Sequence, residues 1–525
     1  MSVKHKGILT SLDGASLRAL ACLFAALFIS YRLFLFQTGF YNDDWVILTK
    51  IMGTEGFWEK FWAFCGYKHF WTRPVEIPLF AFQYWITGVQ ARPEAGQLFL
   101  FFLEALESLL FFSLIAKVSG SKRFAFMAAF FMSIFPSRAI MHVWMTLTPQ
   151  PMSHILILVS FLLHWRWLDG RDKKSDLLLG QMFYIAAVLC YESTTLLPVM
   201  LGGALVSREL KRGWGRALRH SVGSMAPYIV SLAVVFGWQH VGAKVVLGWS
   251  NPKDIEFTLS HFFRAFGAGF ECVTNRVIHA CALSVRPALD HFGPALWALW
   301  AVLVFTAGKA AFAWKAFPES EPVRGREAGV FILAAFLGAY APYALSGNYM
   351  PAMFGIMSRT NGSGAWVGGL LLAWLFETLK KRASGPGFGR GASVLAALIF
   401  GLFTLANWHA MWEYAQSWKI QTSVLERLAP RVGPIAGRPR VLLDGVPRNF
   451  GKAVVFDATY DFDYALKIAT GRKDVYGKLI SPQTTFEEKG VVIRDYGAVM
   501  SYPYENLFLY DYRSDRFERL GPPEK

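Results

Sequence analysis

The chain has 525 residues, of which 54% are hydrophobic, 16% aromatic and only 17% charged, well below the quarter of charged residues usual in a globular protein. Its net charge of +16 would fit a nucleic-acid binder if Lys and Arg shared one polar face, but they fall in short clusters between apolar runs, which is the pattern of the positive-inside rule. The five cysteines include no CxxC pair and lie mostly in or beside apolar runs, which argues against a disulfide framework or a zinc site.

A spanning helix needs about 20 mostly apolar residues. About eleven such runs, some shorter, occupy residues 17–37, 98–117, 124–137, 151–168, 177–191, 193–207, 223–243, 294–314, 328–347, 364–379 and 392–411. The first run is long for a signal-peptide core, has no small-x-small cleavage site, and leads straight into the polar motif Tyr41-Asn42-Asp43-Asp44-Trp45, so it reads as a retained helix. Basic residues gather in alternate loops: Lys4 and Lys6 before the first run, then Lys117, Lys122 and Arg123, then Arg208, Lys211, Arg212, Arg216 and Arg219. That alternation predicts an integral membrane protein with a cytoplasmic N-terminus and an extracytoplasmic C-terminus.

The first outer loop, 38–97, is rich in aromatic residues, and its stretch GFWEKFWAFCGYKHFW alternates apolar with charged positions. It is expected to form an amphipathic helix on the outer surface, and residues 255–285 are expected to behave alike. The glycine-rich ASGPGFGRGAS loop lacks the Lys-Ser or Lys-Thr of a phosphate-binding P-loop and reads as a flexible cytoplasmic connection. From residue 412 the composition turns to short β-type runs, VLLDGV, AVVFDATYDFDYALKIA, VVIRDYGAVM and ENLFLYDYRSDRFERL, with RSD as a hairpin turn. The fold expected is therefore an α-helical polytopic membrane module, residues 1–411, followed by a small extracytoplasmic α/β domain, residues 412–525.

Chemistry concentrates in the first outer loop. A helix exit is a cheap place for two carboxylates, because both can hydrate, and Asp43 and Asp44 have that bland reading. Against it stands their company, the returning stretch HFWTRPVEIPLF with His69, Arg73 and Glu76: a carboxylate that accepts a proton beside a cation that holds a phosphate can serve group transfer. His142 reads either as an outer-turn residue near a substrate or as a histidine packed against Trp144. Glu192, at the outer end of two short runs, is an ionisable group at membrane depth with Arg73 or Arg359 as possible partner. Arg359 is either a second phosphate ligand or an interfacial cation.

An acidic pair followed by Trp, then Arg-Pro entering the second helix, resembles the GT-C superfamily of multi-spanning glycosyltransferases, in particular bacterial relatives of the protein O-mannosyltransferases and of the lipid A aminoarabinose transferase. SIFPSRAIMHVWMTLTPQPMSHILIL, LCYESTTLLPVML and NYMPAMFGIMSRTNGSGAWVGGLLL extend the likeness in order along residues 15–410. The resemblance implies transfer of a sugar from a polyprenyl-phosphate donor to a surface glycan, lipid or protein acceptor at the outer face, with no nucleic-acid partner, cofactor or dedicated metal. It implies that Asp43 or Asp44, with Asp44 favoured, acts as general base, that Arg73 binds the leaving phosphate, and that His69, His142, Glu192 and Arg359 lie on the substrate side. Thr72-Arg73-Pro74 replaces the commoner Lys-Pro-Pro motif and leaves the donor sugar open. A transporter or flippase for a lipid-linked sugar, or a non-catalytic assembly factor, are the alternatives.

Overall fold

The computed structural model describes residues 14–88, 92–171, 174–242, 245–246, 248, 258–312, 325–347, 349–382, 386–457, 460–495 and 498–523. The basic residues Lys4 and Lys6, the start of the 255–285 segment and residues 383–385 of the glycine-rich loop lie outside them. In chain order the helices are α1 (Gly14–Tyr31), α2 (Asp43–Lys50), α3 (Phe57–Cys65), α4 (Glu76–Thr87), α5 (Pro93–Ser119), α6 (Lys122–Ser133), α7 (Pro149–Arg166), α8 (Lys174–Cys190), α9 (Pro198–Glu209) and α10 (Trp214–Gly237). There follow α11 (Leu259–Val273), α12 (Asn275–His291), α13 (Pro294–Phe312), α14 (Gly325–Ser346), α15 (Gly364–Arg382), α16 (Pro386–Val432) and α17 (Asp461–Thr470).

Every apolar run of the sequence falls on one of these helices. Among the described residues, five segments are long and apolar enough to cross a bilayer unaided: Pro93–Ser119, Met145–Asp169, Trp214–Gly242, Gly325–Ser346 and Gly391–Val432. A sixth appears if α6 and the following 3₁₀ turn, Pro136–His142, bent by 62°, count as one span. Pro136 explains the bend, since it cannot donate to the preceding turn. The expected amphipathic stretch is α3, with Trp58 and Trp62 exposed. The described part of the 255–285 segment forms α11 and the start of α12, each with a small-residue face turned inward, including Ala265, Ala268, Ala280 and Ser284.

Lipid tails are as apolar as the side chains, so helices in a membrane associate through close packing and polar contacts. Gly369 on α15 lies so near α6 that a Cβ there would sit 2.2 Å from the Ala128 carbonyl oxygen. Deeper lies a charge network. Glu104 and Glu107, one turn apart on α5, meet Arg32 and Arg138, and all four are at most 3% exposed. Arg32 Nη2 lies 3.1 Å from Glu104 Oε2, and Arg138 Nη2 2.6 Å from Glu107 Oε2. Trp366 Nε1 donates to Glu107 at 2.8 Å, and His154 Nδ1 lies 2.9 Å from the same oxygen. Buried charges are tolerable only when paired and hydrogen-bonded, and here the pairing ties α1, α5, α7 and α15 to the turn 136–142.

The C-terminal part is built on α16, whose 47 residues run straight across residue 412. Beyond it come β1 (Arg440–Asp444), β2 (Asn449–Phe450), β3 (Ala453–Val454), β4 (Tyr476–Leu479), β5 (Thr485–Glu487), β6 (Gly490–Asp495), β7 (Ala498–Pro503), β8 (Leu507–Asp511) and β9 (Arg516–Arg519). One sheet has the order β4-β1-β8-β9, with β1 parallel to both β4 and β8; β5-β6-β7 form an antiparallel meander. The RSD turn joins β8 to β9 as an antiparallel hairpin. The run AVVFDATYDFDYALKIA, expected as strand, is strand only at Ala453–Val454 and then becomes α17. Asp461 and Asp463 in its first turn suit the helix dipole, and Gly471 at φ +68° closes it. Phe462, Ala465 and Leu466 of α17 share one hydrophobic cluster with Val441 and Leu443 of β1, Val424 and Leu428 of α16, and Ile47 and Leu48 of α2 with Ile51 just beyond it. α2 and the C-terminal segments are thus packed on a common core.

Candidate active site

Between these parts opens a cavity of about 720 Å³, within the range of small-molecule sites. α2 gives it Asp43, Val46, Ile47 and Lys50, the i, i+3, i+4, i+7 stripe of one helix face. The turn before α4 gives His69 and Arg73, the 145–147 turn Thr146, the α8–α9 connection Tyr191 and Glu192, the loop before α15 Arg359, and the C-terminal domain Tyr460. One flank is apolar: Leu232 and Phe236 of α10, with Pro342 and Leu345 of α14, both helices long and apolar enough to span.

The start of α2 is strained. Asn42 has φ +47° and ψ −119°, a conformation that costs a non-glycine residue on the order of 1–3 kcal/mol. Asp44 secures it. Its Oδ1 accepts from the Thr146 backbone N–H at 2.7 Å and the Thr146 hydroxyl at 2.6 Å, and its Oδ2 from the N–H groups of Tyr41 at 3.0 Å and Met145 at 3.4 Å. Burial pushes the Asp44 carboxyl up to about 7, against the pull of those four donors. Asp43 faces the cavity instead. Its Oδ1 accepts from the Tyr460 hydroxyl at 2.7 Å, and among the described residues nothing bonds to its Oδ2.

The cations divide into two kinds. Arg73 is already neutralised: its Nε donates to Glu192 Oε1 at 2.8 Å, its Nη2 reaches the other Glu192 oxygen, and its Nη1 lies 3.2 Å from Glu76 Oε1. Burial works against its charge, but Glu192 and Glu76 outweigh it and hold the guanidinium well above its ordinary pKa. Arg359 is held only by ring faces, 5.5 Å from the centroid of Trp144 and 5.4 Å from that of Tyr349, and no carboxylate among the described residues pairs with it. Lys50 likewise lies over Tyr67, at 3.9 Å, and near Tyr464, at 5.6 Å.

Of the residues singled out in the sequence, Asp43, His69, Arg73, Glu192 and Arg359 line this one cavity. Asp44, favoured there as the base, is 0% exposed and fully bonded. His142 is also 0% exposed, with Nδ1 2.7 Å from Glu104 Oε1 and its ring stacked on Tyr31; it belongs to the buried network, and its packing partner is Tyr31 rather than Trp144. Lys50, Thr146 and Tyr460 were not singled out. The spacing of Asp43 and Lys50 on a helix could have revealed the first; the other two are brought in by tertiary contacts alone.

No protein-family model and no curated protein matches the chain. Two solved membrane proteins are similar in structure. One is ArnT from Cupriavidus metallidurans bound to undecaprenyl phosphate, with a TM-score of 0.40 and 12% identity over 90% of this chain and 86% of that one. The other is the Archaeoglobus fulgidus oligosaccharyltransferase in its apo form, with a TM-score of 0.42 and 12% identity over 90% of this chain and 65% of that one. Scores this low leave function to be read from the cavity itself.

Proposed function

We propose that the cavity is the active site of a membrane glycosyltransferase that moves a sugar from a polyprenyl-phosphate donor to an acceptor hydroxyl at the outer face. The observation that carries this reading is the presence, in one cavity with an apolar flank, of a carboxylate with an open oxygen, Asp43, and an arginine without a carboxylate partner among the described residues, Arg359. The flank of α10 and α14 suits a lipid tail, and the polar end suits its phosphate and sugar.

In the reaction, Asp43 Oδ2 takes the proton of the acceptor hydroxyl while that oxygen bonds to the anomeric carbon. The bond from that carbon to the phosphate oxygen breaks, and its electron pair leaves with the phosphate. Arg359, with Lys50 on the adjoining wall, stabilises the charge that develops there. Arg73, occupied by Glu76 and Glu192, shapes the wall between them. The charged lining groups sit in turns and at helix ends rather than at mid-helix, which supports an enzyme over a transporter.

The test is transfer by the purified chain in nanodiscs, offered a panel of polyprenyl-phosphate sugars. One donor should be consumed by the wild type and spared by Asp43→Asn and Arg359→Ala proteins that still fold. Normal transfer by both variants would sink the reading.

A further inference from the structure

The C-terminal domain reaches into the cavity through one side chain. Tyr460 lies 418 residues from Asn42, yet its hydroxyl donates to Asp43 Oδ1 at 2.7 Å and lies 3.5 Å from Asn42 Oδ1. Its place is fixed from behind. It occupies the N-cap position of α17, whose Phe462, Ala465 and Leu466 share a core with Ile47 and Leu48 of α2. At the other end of the α2 stripe, Thr49 Oγ1 lies 3.5 Å from the Tyr464 carbonyl oxygen, and the Tyr464 ring lies near Lys50. The charged groups acting on the phenol are Asp43, Asp461 and Arg359. Burial first, then Asp43, drives its ionisation far above the ordinary range, with Arg359 opposing, so Tyr460 stays protonated and remains a donor.

We propose that Tyr460 is a positioning residue for the base, and that the C-terminal domain completes the active site through it. The inference rests on the glycosyltransferase reading. A single hydrogen bond to Oδ1 fixes the plane of the Asp43 carboxylate and leaves Oδ2 turned to the acceptor. No other side chain among the described residues bonds to this carboxylate.

The experiment uses full-length protein in nanodiscs with the donor that the wild type consumes. In Tyr460→Phe, kcat should fall about tenfold, the scale of one hydrogen bond to a charged group. The donor KM should stay within about twofold. A wild-type kcat would overturn the proposal. A thermal-unfolding cycle of Asp43→Asn, Tyr460→Phe and the double variant reads the contact without turnover: the double should lose less than the two singles added together, and strict additivity would count against the contact. The outcomes separate. Transfer unaffected by Asp43→Asn and Arg359→Ala defeats the glycosyltransferase reading, whereas transfer lost in those variants but untouched in Tyr460→Phe defeats only the role of Tyr460.

Discussion

Asp43 and Asp44 follow one another in the chain and face opposite sides of the same turn. Asp43 opens to the cavity with one hydrogen bond, from Tyr460, while Asp44 lies sealed behind it, joined to Tyr41, Met145 and Thr146 by four. Asp43 borders the cavity, and Asp44 clamps the start of α2 to the 145–147 turn.

The two asparagine variants should therefore part company. Asp43→Asn should lose no more stability than its one hydrogen bond from Tyr460 supplies, about 1 kcal/mol, and roughly 10²- to 10⁴-fold in transfer rate, the usual contribution of a general base. Asp44→Asn should lose about 1–3 kcal/mol of stability, because an amide NH₂ then faces backbone donors. Parallel melting curves and transfer assays in one detergent check both.

The arginines should divide in the same way. Arg359→Ala should fold normally and lose roughly 10- to 100-fold in kcat/KM for the donor, the worth of a charge-assisted contact, and Arg359→Lys should recover part of it. Arg73→Ala takes one cation away from two carboxylates, Glu76 and Glu192. It should cost roughly 2–3 kcal/mol, less than a fully buried pair would, since Glu192 is 33% exposed. Melting curves with donor titrations separate the two behaviours.

Asp44 also sets a pH dependence. Its carboxyl is raised in the folded chain from 3.8 to about 7, so between those values the folded state holds a proton that the unfolded state releases. Its contribution is present in full below 3.8 and is lost as pH rises through about 7. The melting temperature of the wild type minus that of Asp44→Asn should fall from pH 5 to pH 8; a difference that rises instead would show that the four donors hold the anion.

In the buried network, Arg138→Met leaves Glu107 without its cation and should cost about 3–5 kcal/mol. Adding Glu107→Leu should return part of that loss, because two apolar groups replace a pair that each single change breaks. Thermal unfolding of the two singles and the double shows whether the coupling has that sign.

Much of this arrangement could be read in the residues. The apolar runs announce the helices because a spanning segment must satisfy its own backbone, and His69, Arg73 and Glu76, clustered beside an acidic pair in the sequence, line one cavity with Asp43. The ranking of Asp43 against Asp44 could not be read, since it depends on Thr146, which lies about a hundred residues away in the chain. That Glu192 pairs with Arg73 rather than with Arg359 is likewise a tertiary fact. Glu104 and Glu107, in contrast, stood in plain view inside FFLEALESLL: two charges one turn apart in an apolar run mark a buried partner. The acids at the start of α17 and the glycine at its end likewise signalled a helix where β-type residues suggested a strand.

The length of α16 has a mechanical consequence. Its 47 residues extend about 70 Å at 1.5 Å each, more than twice a hydrocarbon core of about 30 Å. Its C-terminal half carries α2, through Tyr41 on the Tyr414 carbonyl oxygen at 2.8 Å and Trp45 on Gln421 at 3.0 Å, and it carries the segment that holds Tyr460. Carboxylate and phenol thus ride on a single mast. When the mast leans as the bilayer thins or thickens, the two should swing together, and the gap that changes is the one between them and the lipid-facing flank.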